Sequence, residues 1–438
     1  MHVYRTSENR VAHAAEQGGS MKNDVHSTGP WPTILCWAVV ALDGFDLVVL
    51  GTVIPTLLST GELGFDPAAV TIVATVGLIG VGLGAFLVGP LTDSYGRRRP
   101  LLACVLVFSI CTLAIATAPS ILVFGILRFV AGLGLGACLP TAIAYVGEHA
   151  PAGRSGRAVT LTMTGYHVGA VLTALLALVI IPDWRMMFIV GGVAGLVVLP
   201  LLWVALPEST AYLAGRPDPA RRAPSGAPRE LLHRRFLVLN IAIWSASFMG
   251  LLLVYGLNTW LPELMRAAGY DLGSSLAFLM VLNLGAVAGL ILAGVVGDRF
   301  GIRRVAITWF LLAAVFLAVL SIRMDQIVIL YLAVFITGVF VFSAQVLIYA
   351  YVTGAYPASV RGTALGFSAG IGRAGAIVGP LVAGGLVGLG IAYPWGFYAF
   401  SLAALIAVLA LSAIPARRPV EDSAAPVSEV EVGRLAQE

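Results

Sequence analysis

Asp43 and Asp46 lie three residues apart inside an apolar run from about Trp31 to Leu58. A carboxylate at the centre of a bilayer-length helix costs about 2.5–3.5 kcal/mol on insertion scales, so such acids face a cation or a watery cavity. Away from the helix ends, the other ionisable side chains buried in apolar sequence are Arg128, His167 and Arg373. At ~1.5 Å per residue, Arg128 falls about 12 Å and Asp46 about 18 Å from the same membrane edge, a gap that a long arginine covers. Asp46 with Arg128 is the expected pair, and Asp43 sits one turn away on the same face. Such a pair can handle a proton: ionised, Asp46 is held by Arg128; protonated, it lets go, with the Asp43 carboxylate tuning the step. The alternative is a permanent brace between two helices. Against it, the matching place in the second half holds only Leu251 to Leu253, and a proton site needs to appear only once.

Arg373 has no acid near it in the second half of the chain. A ligand carboxylate is a natural partner for it, bound bidentately by the guanidinium fork. The rival is a structural arginine capping backbone carbonyls. Gly370, Gly372 and Gly375 would let backbone or ligand come close. His167 is a candidate for proton relay or ligand contact.

These residues need a membrane bundle to position them. The chain of 438 residues is 59% hydrophobic and 11% charged, against about 25% charged in soluble proteins. Apolar runs of 18 or more residues recur throughout, the length of a membrane helix. Twelve helices are expected, at about 31–58, 70–91, 100–117, 120–147, 157–181, 186–206, 236–262, 274–296, 304–322, 327–349, 361–389 and 395–414. The arginines fall mostly in alternate loops, at 97–99, 154–157, 216–235, 299–304, 361 and 417–418. That pattern places both termini inside the cell. The expected organisation is a cytoplasmic tail over 1–30, a six-helix half over 31–206, a cytoplasmic linker over 207–235, a second half over 236–414 and a cytoplasmic tail over 415–438. No cleavable signal peptide is expected, and Met21 is a possible alternative start to Met1. Cys36, Cys104, Cys111 and Cys138 lie in apolar segments without metal-ligand spacing, so no metal or cofactor is expected. The net charge of +4 follows membrane topology and does not suggest a nucleic-acid partner. No nucleophile–base constellation suggests an enzyme.

The two halves repeat each other at an offset of about 205 residues, the mark of a transporter built from duplicated units. Pro55 followed by Gly64-Phe65-Asp66 is echoed by Pro262 and Gly269-Tyr270-Asp271. Gly89-Pro90-Leu91-Thr92-Asp93-Ser94-Tyr95-Gly96-Arg97-Arg98 is echoed around Asp298, Gly301 and Arg303.

At these residues the chain resembles the major facilitator superfamily over nearly its whole length. The resemblance implies an all-α membrane fold of twelve helices in two pseudo-symmetric halves, working as one chain among membrane lipids. It also implies that Gly89, Asp93, Gly96, Arg97, Arg98, Asp298 and Arg303 gate the cytoplasmic side, the acids against a helix N-terminus and the arginines in the interface. Asp43-Gly44-Phe45-Asp46, Tyr255-Gly256-Leu257-Asn258-Thr259-Trp260-Leu261-Pro262 and Gly370-Ile371-Gly372-Arg373-Ala374-Gly375 resemble the aromatic acid:proton symporters. Tyr255, Asn258, Trp260, Gln345 and Tyr349 would then stack on an aromatic ring and hydrogen-bond its substituents. The expected activity is import of a small aromatic carboxylate with protons, at the inner membrane. A proton-driven exporter and a carrier of another acid, polyol or sugar remain the alternatives. Val168 to Pro182 has only Gly169 and a terminal proline, which argues against an exporter of this superfamily.

Overall fold

The computed structural model describes residues 31–149, 155–208, 231–356 and 358–415. Among them are twelve helices long and apolar enough to cross a membrane. They are α1 (Trp31–Thr60), α2 (Pro67–Tyr95), α3 (Arg98–Ile115), α4 (Ile121–His149), α5 (Ser155–Ile180) and α6 (Trp184–Ala205) in the first half. The second half holds α7 (Leu237–Ala267), α8 (Leu272–Phe300), α9 (Ile302–Val319), α10 (Ile327–Ala355), α11 (Ala358–Gly388) and α12 (Ala392–Ser412). The chain is a multi-pass membrane protein. The tails, 209–230 of the linker, and Arg154 lie outside the described residues.

The repeat is written into the helix ends. Asp66 caps α2 by accepting from Ala69 N at 2.7 Å, with Pro67 in the first turn, where its missing N–H costs nothing. Asp271 caps α8 in the same way, accepting from Ser274 N at 2.9 Å and from Ser274 Oγ at 2.6 Å. Those two bonds hold its carboxyl below the usual carboxylate range. Gly96 and Gly301, which follow α2 and α8, both have positive φ, 81° and 88°. A residue with a side chain would be strained at either turn.

Expected boundaries are corrected: α10 runs on from 349 to Ala355. α7 does not stop at Pro262 but continues to Ala267, and α1 likewise runs through Pro55. A membrane helix tolerates an internal proline because its neighbours re-satisfy the freed backbone groups. The added turn carries Glu263, which accepts from Arg266 Nε and Nη2 at 2.9 Å each. Buried Glu263 therefore joins the ionisable groups inside the bundle.

Packing follows the same symmetry. α1 lies on α5, α2 on α4 and α3 on α6; correspondingly α7 lies on α11, α8 on α10 and α9 on α12. The halves meet where α1 touches α7, α5 touches α8 and α2 touches α11. Two glycines set the crossings that matter for the site. A Cβ on Gly44 would stand 2.0 Å from the Tyr166 carbonyl oxygen, so α5 lies directly against the stretch carrying both acids. A Cβ on Gly51 would stand 2.1 Å from the Asn258 carbonyl oxygen, which brings α1 and α7 together across the halves. Beyond that crossing α1 is buried without a break from Val48 to Leu57, and α7 from Gly256 to Met265. Towards the linker end, where α6 stops and α7 starts, both helices carry half-buried and exposed positions.

Candidate functional site

Two charge centres flank the crossing of α1 with α5. The first is closed. Asp46 Oδ2 pairs with Arg128 Nη1 at 2.8 Å, and both Arg128 terminal nitrogens also reach the Asp46 backbone carbonyl at 3.3 Å. Asp46 Oδ1 accepts from Thr112 Oγ1 of α3 at 2.6 Å. Asp46 is 2% exposed and Arg128 6%. Both carboxylate oxygens and the peptide oxygen are thus occupied from within the first half.

The second centre is open and spans the halves. Asp43 is buried, and Arg373 from α11 acts on it more strongly than Asp46, its neighbour on α1. Tyr166 of α5 and Cys138 of α4 also lie within its electrostatic reach. The two acids therefore do not share a partner: three residues turn a helix through about 300°, and the remaining 60° suffices to aim one at each centre. Arg373 does have an acid near it, contributed by the other half. Its one direct side-chain bond is Nη1 to Tyr255 Oη at 2.9 Å, with the guanidinium 6.0 Å from the Tyr255 ring centroid. Tyr349 of α10 and Tyr166 lie within its electrostatic reach. Arg373 and these three tyrosines are half-buried rather than sealed, leaving donors of the guanidinium available.

Tyr166, Tyr255, Asn258, Thr259 and Arg128 line a cavity of about 20 Å³ between the halves, room for about one water. Gln345 is buried, with its side chain within hydrogen-bonding reach of Tyr349. His167 is buried beside Asn283 of α8 and edge-on to Phe342, with ring centroids 5.4 Å apart. Trp260 is not part of this site: it is fully buried in the far-end core, against Gly384 of α11. The reason is helical phase, because Tyr255 and Asn258 share a face that Trp260, two residues on, does not.

At the linker end the expected gate is differently wired. Arg98 donates to the Trp203 carbonyl at the end of α6 and lies 5.6 Å from that indole. Arg303 donates to the carbonyls of Leu411, Ser412 and Ile414 at the end of α12. These equivalent arginines tie each half to itself rather than bridging the interface. Arg97 donates to the Thr92 carbonyl at 2.9 Å. The carboxylate found on the N-terminus of α3 is Glu208, which accepts from the backbone N–H groups of Arg97 and Arg98 at 2.9 and 3.1 Å. Asp298 stands exposed at the end of α8. The side chains at Gly89 and Asp93 lie outside the described residues.

Thr112, Tyr166, Glu208 and Asn283 were missed in the sequence. Asn283 carried a usable signal, an amide deep within an apolar helix. Thr112 carried none, since threonines are common in membrane helices.

The model of the Major Facilitator Superfamily matches residues 36–292 and 279–436. The chain is 32% identical to the benzoate transport protein of Acinetobacter baylyi, over 88% of this chain and 89% of that one. It is 35% identical to the gentisate transporter of Corynebacterium glutamicum, over 87% and 86%. The D-xylose-proton symporter superposes with a TM-score of 0.72 at 19% identity, over 87% of this chain and 97% of that chain. Both the helix order and these likenesses agree that this chain, a transporter and not an enzyme, belongs to the major facilitator superfamily.

Proposed function

We propose that this protein imports an aromatic carboxylate together with a proton, by alternating access of a site between its halves. The observation that carries the reading is Arg373, a half-buried arginine with free donors among three tyrosines, opposed by Asp43 from the other half. A guanidinium selects a carboxylate, and tyrosine rings suit an aromatic body. Relatives named for benzoate and gentisate transport support the same substrate class.

The geometry favours Asp43 over Asp46 as the proton site. Asp46 has no oxygen free to exchange partners, whereas Asp43 has a competitor. In the empty carrier Asp43 and Arg373 balance each other's charge. A substrate anion at Arg373 would leave one negative charge in excess in a medium that penalises it. A proton on Asp43 restores neutrality, so one proton accompanies one monovalent anion. The substrate carboxylate and ionised Asp43 compete for one guanidinium, and that competition is the coupling. Continuous burial of α1 and α7 beyond the Gly51 crossing corresponds to a bundle closed outside. Arginine-rich loops at the linker end support a cytoplasmic position for that end, in a carrier of the inner membrane.

Proteoliposome uptake of labelled aromatic acids, with and without an inward proton gradient, tests this. Wild type should accumulate its substrate only with the gradient. Asp43→Asn should lose accumulation yet retain substrate exchange. Wild-type uptake indifferent to the gradient would sink the coupling claim.

A further inference from the structure

The buried amides of Asn258 and Asn283 do not satisfy each other. Asn283 Nδ2 donates to the Leu279 backbone carbonyl and to Asn258 Oδ1, at 3.1 Å each. A backbone carbonyl can only accept, so the orientation of the Asn283 amide is fixed, and with it that of Asn258. Two atoms remain: Asn283 Oδ1, an acceptor, and Asn258 Nδ2, a donor, both buried and both without a well-formed hydrogen bond among the described residues. The side chains that carry them are 0% and 2% exposed. His167, 7% exposed, lies within hydrogen-bonding reach of the Asn283 side chain, though its Nδ1 makes no well-formed bond among the described residues. Native interiors rarely leave a buried amide donor and acceptor side by side without a purpose.

We propose that Asn258 and Asn283, with His167 beside them, form a subsite that reads a hydroxyl group on the substrate ring. The proposal rests on the carboxylate reading of Arg373. A phenolic hydroxyl donates one hydrogen and accepts through its oxygen, and the unpaired amide atoms offer one acceptor and one donor. Asn258 lines the cavity with Tyr255, three residues further along α7, about 4.5 Å along the axis. That rise is on the scale of a ring, so a molecule held by its carboxylate at Arg373 and Tyr255 turns its opposite edge towards Asn258. His167 Nδ1 supplies a donor or an acceptor according to its tautomer. An unsubstituted ring would displace water from these atoms and bond to none of them, which is how a polar site rejects an apolar analogue.

The test is competition in proteoliposomes between a labelled aromatic acid and benzoate, its 3- and 4-hydroxy derivatives and 4-methoxybenzoate. In wild type at least one hydroxy acid should compete about tenfold or more better than benzoate, the scale of one buried hydrogen bond left unmade. The methoxy compound, which cannot donate, should fall with benzoate. Asn283→Leu, or the milder Asn258→Ser if the former does not fold, should bring the hydroxy-to-benzoate ratio towards one, whatever the absolute uptake. Equal competition by benzoate and both hydroxy acids in wild type overturns the subsite, as does a preference that survives both substitutions. Competition by none of these acids overturns the carboxylate reading itself, and the subsite with it.

Discussion

Asp46 and Asp43 are three residues apart on one helix, and their surroundings are opposite in kind. Asp46 is bonded on every oxygen, by Arg128 of α4 and Thr112 of α3, all inside one half. Asp43 lies within electrostatic reach of Arg373 across the interface between halves, without an ion pair between them among the described residues. A contact within a rigid half survives any rocking of that half. An interaction between halves would change with each cycle of the proposed alternating access. The comparison teaches that, in the proposed mechanism, coupling belongs to the unsaturated centre and the better-formed ion pair serves as its frame.

The largest effect expected from breaking the frame follows from removing one partner of the closed pair. Asp46→Asn leaves Arg128 buried without a countercharge, a change that costs about 3–5 kcal/mol. The thermal midpoint of the purified protein in detergent should fall sharply. Asp46→Leu combined with Arg128→Met should recover much of that loss, because a buried pair replaced by apolar groups is often neutral. Gradient-driven uptake should return with it. A double variant that is stable but uncoupled would return the proton to Asp46 and erase the contrast between the centres.

The open centre answers differently. Arg373→Lys keeps the charge and loses the fork, so the protein should remain as stable as wild type while the substrate concentration for half-maximal uptake rises about tenfold, one charge-assisted bond. An unchanged value would remove Arg373 from the substrate site.

Much of this was legible in the sequence. The period of apolar runs sets twelve helices, and the repeat around Asp93 and Asp298 exposes the two halves, because both are local patterns. Asp46 with Arg128 could be read too, since depth along a helix is arithmetic and opposite charges in lipid seek each other. What could not be read was rotation about the helix axis. Asp43 and Asp46 share a helix face to within about 60°, yet that offset is enough to give them different neighbours; Trp260, read into the same site as Tyr255, is turned away from it by helical phase. Nor could close packing be read: nothing in Asp43-Gly44-Phe45-Asp46 says that Gly44 is there to let the Tyr166 backbone approach. Asn283 and Thr112 escaped for a related reason. Their roles come from partners on other helices, 25 and 66 residues away.

The smallest effects sharpen the comparison most, because they remove one hydrogen bond from each centre and nothing else. Thr112→Val deletes the bond to Asp46 Oδ1 and keeps the shape of the side chain. Tyr255→Phe deletes the bond to Arg373 Nη1 and keeps the ring. Each bond joins a neutral group to a charged one, worth about 1.5–3 kcal/mol. At Thr112 that energy belongs to the frame, so the thermal midpoint should drop while half-maximal uptake concentration stays put. At Tyr255 the freed guanidinium donor meets water in a half-buried site, so stability should barely change. The hydroxyl is lost from the proposed carboxylate site, so the uptake constant should shift instead. If both variants moved the same observable, the two centres would be one network, and the division of labour between Asp46 and Asp43 would not hold.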